Sequence, residues 1–209
     1  MTQRQKGLLI AILALVFALS LDLWTKAWAW EHLKPTAPGQ PDHPVTVIDG
    51  IFYLKFGFNT GSAFSLLRDK SWARVFFILV TFAALGYMAW LAATLPPKRN
   101  WVFVSIGFIA GGAIGNLHDR FVRVWKVPFQ GTYQEKHGVV DFLQFYYPWD
   151  PDSYWPIFNV ADSALVVGMA FLLIYVQFFG ASDEAELQQA DASTEPASTE
   201  PASTEPASN

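Results

Sequence analysis

The sequence predicts a mainly α-helical membrane protein: four transmembrane helices with a small outer β-sheet built from the first outer loop. Three observations lead there. Of the 209 residues, 52% are hydrophobic and only 15% charged, where a soluble domain carries about a quarter. The shortfall is concentrated in four apolar stretches, each near the roughly 20 residues needed to cross a bilayer. Between the first two, a β-branched and aromatic run lies on each side of Asp49-Gly50, the pattern of a hairpin.

The apolar stretches cover residues 7–30, 75–95, 101–117 and 156–180, and the second stops at Pro96-Pro97. Arg4 and Lys6 before the first stretch, with Ala27-Trp28-Ala29 after it, also suit a cleavable signal peptide. The run is long for that role, and Asp22 and Lys26 precede the would-be cleavage site, so it is read as a span. Arg4 and Lys6, with Lys98 and Arg99 in the short turn between spans two and three, mark the cytoplasmic side. Both termini are then cytoplasmic, and loops 31–74 and 118–155 lie outside. These loops hold basic residues too, including Lys34, Lys55, Lys126 and Lys136, diluted over long segments.

In the first loop, Val45 to Ile48 and Ile51 to Phe56 are the expected strands, resting on the membrane surface. Trp, Tyr and Pro in the second loop suit the interface. Residues 1–180 therefore form one transmembrane domain. Residues 181–209 read as a disordered, acidic tail, because the unit Ser193-Thr194-Glu195-Pro196-Ala197 recurs to the end and offers no apolar face.

Composition excludes several functions. A net charge of -4 gives no basic surface for nucleic acid. With no cysteine there is no disulfide, thiolate nucleophile or cysteine-held metal. His32, His43, His118 and His137 show no close metal-ligand spacing. No metal and no cofactor is expected.

Ionisable groups in spans are costly and usually mark function. Asp22 lies in the outer half of span one. Asn116, Asp119 and Arg120 lie at the outer end of span three, with Asp141 ahead of span four and Asp162 inside it. Successive spans reverse direction, so all of these fall on one side of the bilayer. Asp162 follows Pro156 by six residues, which on a helix starting there is roughly 9 Å below the surface. Two neighbouring carboxylates cannot both ionise easily, so one keeps a proton. Such a pair can activate water and protonate a leaving group. Position alone leaves catalysis, a proton or ion pathway, and structural ion pairing all open.

Five blocks narrow the choice. Asp22-Leu23-Trp24-Thr25-Lys26, Phe58-Asn59-Thr60-Gly61-Ser62-Ala63-Phe64-Ser65, Gly111 through Arg120, Val139-Val140-Asp141-Phe142 and Phe158-Asn159-Val160-Ala161-Asp162-Ser163-Ala164 follow one another along the chain. In order and content they resemble the motifs of the lipoprotein signal peptidases (signal peptidase II), over about residues 10–178. The resemblance implies an intramembrane aspartic endopeptidase with Asp141 and Asp162 as its catalytic dyad. Its substrates would be diacylglyceryl-modified prolipoproteins, cut immediately before the lipidated cysteine. Asn59, Gly61, Asn116, Arg120 and Asn159 would then bind substrate, Arg120 by holding a backbone carbonyl. Asp22, Lys26 and Asp119 would give structural support, although an ion pair between Asp119 and Arg120 is the plain alternative for both. The implied setting is a bacterial inner membrane, with the site at the periplasmic face. Membrane lipid is the other expected partner, and the protein is expected to act as a monomer.

Gly107, Gly111 and Gly115 recur every four residues on span three, a close-packing face expected to set the distance between the aspartates. The link from Arg120 to Asp141 is longer than in many relatives, and the stretch from Phe145 to Trp155 is unusually aromatic. Both are expected to form a lid or widen the sheet. The rival functions are a small proton- or ion-coupled transporter using the same aspartates, and an inactive binding protein on the same scaffold. The transporter needs polar residues in the cytoplasmic half too, where span four offers only Gln177.

Overall fold

A computed structural model describes residues 1–61, 72–96, 98–129, 131–183, 185, 186 and 189. Ser62 to Ser65 of the second block and the repeats from Ser193 lie outside the described residues. The chain runs α1 (Gln3–His32), β1 (Val45–Ile48), β2 (Phe52–Asn59), α2 (Ala73–Thr94), α3 (Asn100–Val122), β3 (Val124–Phe129), β4 (Thr132–His137), β5 (Val139–Tyr147), β6 (Asp150–Tyr154) and α4 (Val160–Tyr175). All four helices are long and apolar enough to span a membrane. Their lipid-side residues, such as Ile12, Phe17, Leu79 and Leu173, are exposed, as expected where hydrocarbon is the solvent. α3 differs, with most of its surface buried by the other helices.

Sequence explains where the helices start and stop. Thr2 caps α1 through a reciprocal pair of bonds with Gln5. Arg4 then reaches the carbonyls of Ala93 and Leu95 at the end of α2. The fourth span continues from Tyr175 through a π-helical turn, Val176–Gly180, and on to Asp183. It thus runs three residues past Gly180, where the tail is expected to begin. Asp183 is buried there and accepts two bonds from the Arg99 guanidinium, at 2.9 and 3.2 Å. A buried carboxylate with this bidentate partner belongs to the folded domain.

α3 is the hub, and its small residues make it so. A Cβ on Gly107 would lie 2.3 Å from the Ala11 carbonyl oxygen, and one on Gly111 would lie 2.7 Å from that of Leu15. The glycine stripe therefore seats α1. The face toward α4 is carried instead by Gly112, whose Cβ would lie 2.5 Å from the Ala161 carbonyl. The close approach of α4 thus rests on Gly112, one position along from the stripe, together with Gly168 of α4, whose Cβ would lie 2.8 Å from the Ser105 carbonyl oxygen. Gly112→Ala is expected to cost about 1–3 kcal/mol by overpacking. Gly86→Ala, with nothing within 4 Å of its added Cβ, is expected to cost nothing. Thermal unfolding of both variants in one detergent checks the contrast.

The hairpin around Asp49-Gly50 forms as expected, with Gly50 at φ +71°. The first loop supplies only half of its sheet, however. The order is β1-β2-β5-β6, all antiparallel, so the second loop adds β5 and β6. Phe52 and Phe145, opposite each other in the register, stack at 4.3 Å. β5 is central, with Val139, Val140, Asp141 and Phe142 all buried. Val140 and Phe142 pack with Ala29 and Leu33 at the C-terminal end of α1. The long link after Arg120 becomes a separate two-stranded hairpin, β3-β4, turning at Gly131.

The start of α4 corrects the expected depth of Asp162. Residues before Val160 are not helical, because Phe158 is bonded to strand β5: its carbonyl accepts from Phe142 and Leu143, and its N–H donates to Leu143. Asn159 is the N-cap, in extended backbone, and forms a capping box with Asp162. Asp162 therefore lies in the first helical turn, at the N-terminal end of α4, rather than two turns down from Pro156.

Candidate active site

Three elements meet where the aspartates lie. β5 carries Asp141, α4 carries Asp162, and α3 carries Asn116 between them. Asn159 accepts the Asp162 backbone N–H at 2.9 Å, while the Asp162 Oδ2 accepts the Asn159 N–H at 3.1 Å. The same Asn159 side chain donates to Asp141 Oδ1 at 2.6 Å and to Asn116 Oδ1 at 3.1 Å. Asn116 in turn donates to Asp162 Oδ1 at 2.8 Å. The two carboxylates are thus joined through two asparagines into one hydrogen-bonded unit.

Asn116 and Asn159 each bond an aspartate. Both are buried, and their amides are occupied by the aspartates and by each other. They hold the carboxylates in place. Asn59 is also beside the pair, with Gly61 bonded to it. Gly61, at φ +112°, donates its N–H to Asn59 Oδ1 at 3.1 Å, which leaves the Asn59 amide nitrogen to bond the Asp141 carboxyl. Gly57, to which the sequence assigns no role, lies opposite Asp141 in the β2–β5 register. Its missing side chain leaves room near the Asp141 backbone, 3.4 Å from where a Cβ would sit.

Arg120 stands at the same end of α3. It donates to the Asn116 carbonyl at 3.2 Å, and its guanidinium lies 5.0 Å from the Phe77 ring centroid. Among the described residues it forms no ion pair. Asp119 pairs elsewhere: it lies 3.7 Å from Lys26 and 3.8 Å from Arg123, and it accepts the Val140 N–H at 3.0 Å. The Asp119–Arg120 pair is therefore not formed, and Asp119 instead pins β5 one residue from Asp141.

The three supporting residues form one buried group. Asp22, Lys26 and Asp119 are fully buried. Asp22 accepts the Ala161 N–H at 2.9 Å, so α1 caps α4 across 139 residues of chain. Asp22 also pairs with Lys26 at 2.8 Å, and Lys26 donates to Asn116 Oδ1 at 2.8 Å. Each charge has a partner, which burial requires.

Burial first, and the nearby Asp162 charge second, push the Asp141 carboxyl up to about 7, against bonds from Asn159 and Asn59 and the charge of Lys26. A group whose folded pKa is raised holds its proton more tightly when folded. Its stabilising effect is complete below the ordinary value of 3.8 and declines as pH rises to about 7. Asp141→Asn is expected to remove that decline, worth on the order of a few kcal/mol at about 1.4 kcal/mol per unit. Melting curves of the two proteins across this pH range check it. Among the described residues, no group of three or more His, Asp or Glu side chains is placed to hold a metal ion.

Along the helices the charges stop at the two ends. Residues 7–21, 75–94, 101–117 and 163–182 contain no Asp, Glu, Lys or Arg, so no charged path crosses the bundle. The solved structure of a bacterial membrane enzyme, determined by the in meso method at 1.9 Å resolution, matches with a TM-score of 0.60 and 27% identity, over 81% of this chain and 92% of that one. The architecture is that of a multi-pass bacterial membrane enzyme. The family model described as signal peptidase (SPase) II matches residues 12–179. A lipoprotein signal peptidase of Xanthomonas axonopodis pv. citri is 35% identical over 195 residues, 90% of this chain and 96% of its own. Another from Maridesulfovibrio salexigens is 40% identical over 136 residues, 64% and 76% of the two chains. The chain belongs to the signal peptidase II family and is a protease.

Proposed function

We propose that this protein removes the signal peptide from diacylglyceryl-modified prolipoproteins, cutting immediately before the lipidated cysteine, with water activated by Asp141 and Asp162. The observation that carries the reading is the linkage of the two carboxylates through Asn159 and Asn116 at one end of the spans. The names of the relatives support the substrate class.

In the reaction, the ionised carboxylate takes a proton from water as the oxygen attacks the scissile carbonyl carbon. The protonated carboxyl polarises the carbonyl oxygen. Collapse of the tetrahedral intermediate breaks the C–N bond, and the leaving amine takes a proton from the pair. Arg120 presents fixed donors to a substrate carbonyl. The backbone around Asn59 and Gly61 borders the peptide. Asn116, Asn159 and the buried group behind them hold the carboxylates and do not touch substrate.

The site lies at the periplasmic face of the inner membrane, with both termini cytoplasmic, and the protein works as a monomer among lipids. With Asp162 in the first turn of α4, the reaction would meet the substrate where its lipid enters the bilayer. The purified protein in vesicles is expected to cleave a diacylglyceryl prolipoprotein and to leave the unmodified precursor intact. Equal cleavage of both would remove the lipid from the account.

A further inference from the structure

We propose that Lys26 is a positioning residue for the proteolytic reaction: acting through Asn116, it sets Asp162 as the ionised, water-activating carboxylate and leaves the proton on Asp141. The inference rests on the proposed protease reading and goes beyond it, by giving the two aspartates different roles.

Lys26 Nζ donates to Asn116 Oδ1 at 2.8 Å, and Asn159 donates to the same oxygen at 3.1 Å. A lysine ammonium has no acceptor, so the atom it faces is the oxygen. Lys26 thereby fixes which way up the Asn116 side chain stands. The amide nitrogen then faces Asp162 Oδ1 at 2.8 Å. The second oxygen of Asp162 takes the Asn159 N–H at 3.1 Å. Each oxygen of Asp162 therefore receives an N–H donor; Asp141 also receives two, from Asn159 and Asn59, so these bonds favour ionisation of either carboxyl and the choice between them falls to their surroundings.

Place in the fold supplies the asymmetry. Asp162 is the third residue of α4, at the positive end of the helix dipole, where a negative charge is stabilised. It is also partly open to solvent, while Asp141 on its strand is 4% exposed. Other charges around the pair are Asp22 with Lys26 on α1, and Asp119 with Arg120 on α3. Asp22 and Asp119 are each bound to Lys26 and to a backbone N–H of their own. The upward displacement of the Asp141 carboxyl agrees with this assignment.

Two measurements on the full-length protein in micelles test it. Infrared difference spectra read protonated carboxyl groups directly and need no substrate. Near pH 6, the protonated-carboxyl band is expected in the wild type and in Asp162→Asn, and to be lost in Asp141→Asn. A band lost in Asp162→Asn and kept in Asp141→Asn overturns the assignment. The second measurement is the pH profile of cleavage by Lys26→Met. Its ascending limb, which titrates the base, is expected to move up by about one unit or more with KM unchanged. A folded Lys26→Met enzyme with an unshifted profile overturns the role of Lys26. If this variant does not fold, the infrared test still decides where the proton is. If the wild type shows the Asp141 band but cleaves no lipoprotein, the protease reading fails and the proton assignment stands.

Discussion

Asp141→Asn and Asp162→Asn are each expected to lower the turnover of a lipidated prolipoprotein by about 10³-fold or more, the scale of positioned acid–base groups. Asparagine keeps the size and one oxygen of the side chain. At position 141 that oxygen can still accept the Asn159 bond, and at position 162 it can still accept the Asn159 N–H. The fold should therefore survive. For Asp141→Asn the melting temperature at pH 8 should not fall, because the substitution removes a carboxylate that burial disfavours. Loss of activity with preserved stability separates chemistry from collapse. A variant that keeps more than a tenth of wild-type turnover would remove that residue from the dyad. Initial rates measured beside circular-dichroism melting curves give both readouts.

The largest effect on stability is expected at Asp119. This carboxylate is fully buried, lies near Lys26 and Arg123, and accepts the Val140 N–H. Asp119→Ala leaves the buried Lys26 and the half-buried Arg123 short of a counter-charge and a backbone donor without an acceptor. The expected cost is about 3–5 kcal/mol. Asp119→Asn restores an acceptor for Val140 but not the charge, so it should recover part of that loss. Activity should fall with stability in both variants, since the Val140 bond is one residue from Asp141. Unfolding in mixed micelles, with residual cleavage measured well below each melting temperature, tests the ranking. Equal stability of Asp119→Ala and wild type would show that β5 is held by other means.

The spans were legible because lipid permits only one kind of reading for 20 apolar residues. The polar residues of the site were legible for the related reason that few polar groups are tolerated there. Where α4 begins was also written in the sequence, as Asn159 three residues before Asp162 and ahead of an apolar run. Pro156 gives a competing start signal, which places Asp162 farther down the helix than it lies. β5 was hidden because Asp141 and Gln144 interrupt an apolar stretch that is buried on both faces. No alternation marks it. β4, Thr-Tyr-Gln-Glu-Lys-His, is almost wholly polar and is strand only through its pairing with β3.

The contacts that were not legible are the distant ones. The pairing of β2 with β5, the cap that Asp22 places on Ala161, and the choice of Lys26 over Arg120 as a neighbour of Asp119 all join segments far apart in the chain. Periodicity carries no information about them. The same limit explains the glycines. A four-residue repeat singled out Gly111, yet whether it or Gly112 faces α4 depends on how the helices are arranged around α3.

The central claim is that this carboxylate pair hydrolyses one peptide bond of a lipidated substrate. Mass spectrometry of both products tests it most directly, with purified protein in vesicles and a chelator present. The account predicts a signal peptide ending at the residue before the lipidated cysteine, a mature lipoprotein with a free amino group on that cysteine, and neither product from Asp141→Asn or Asp162→Asn. Cleavage at another bond, dependence on added metal, or full product from either variant would contradict it.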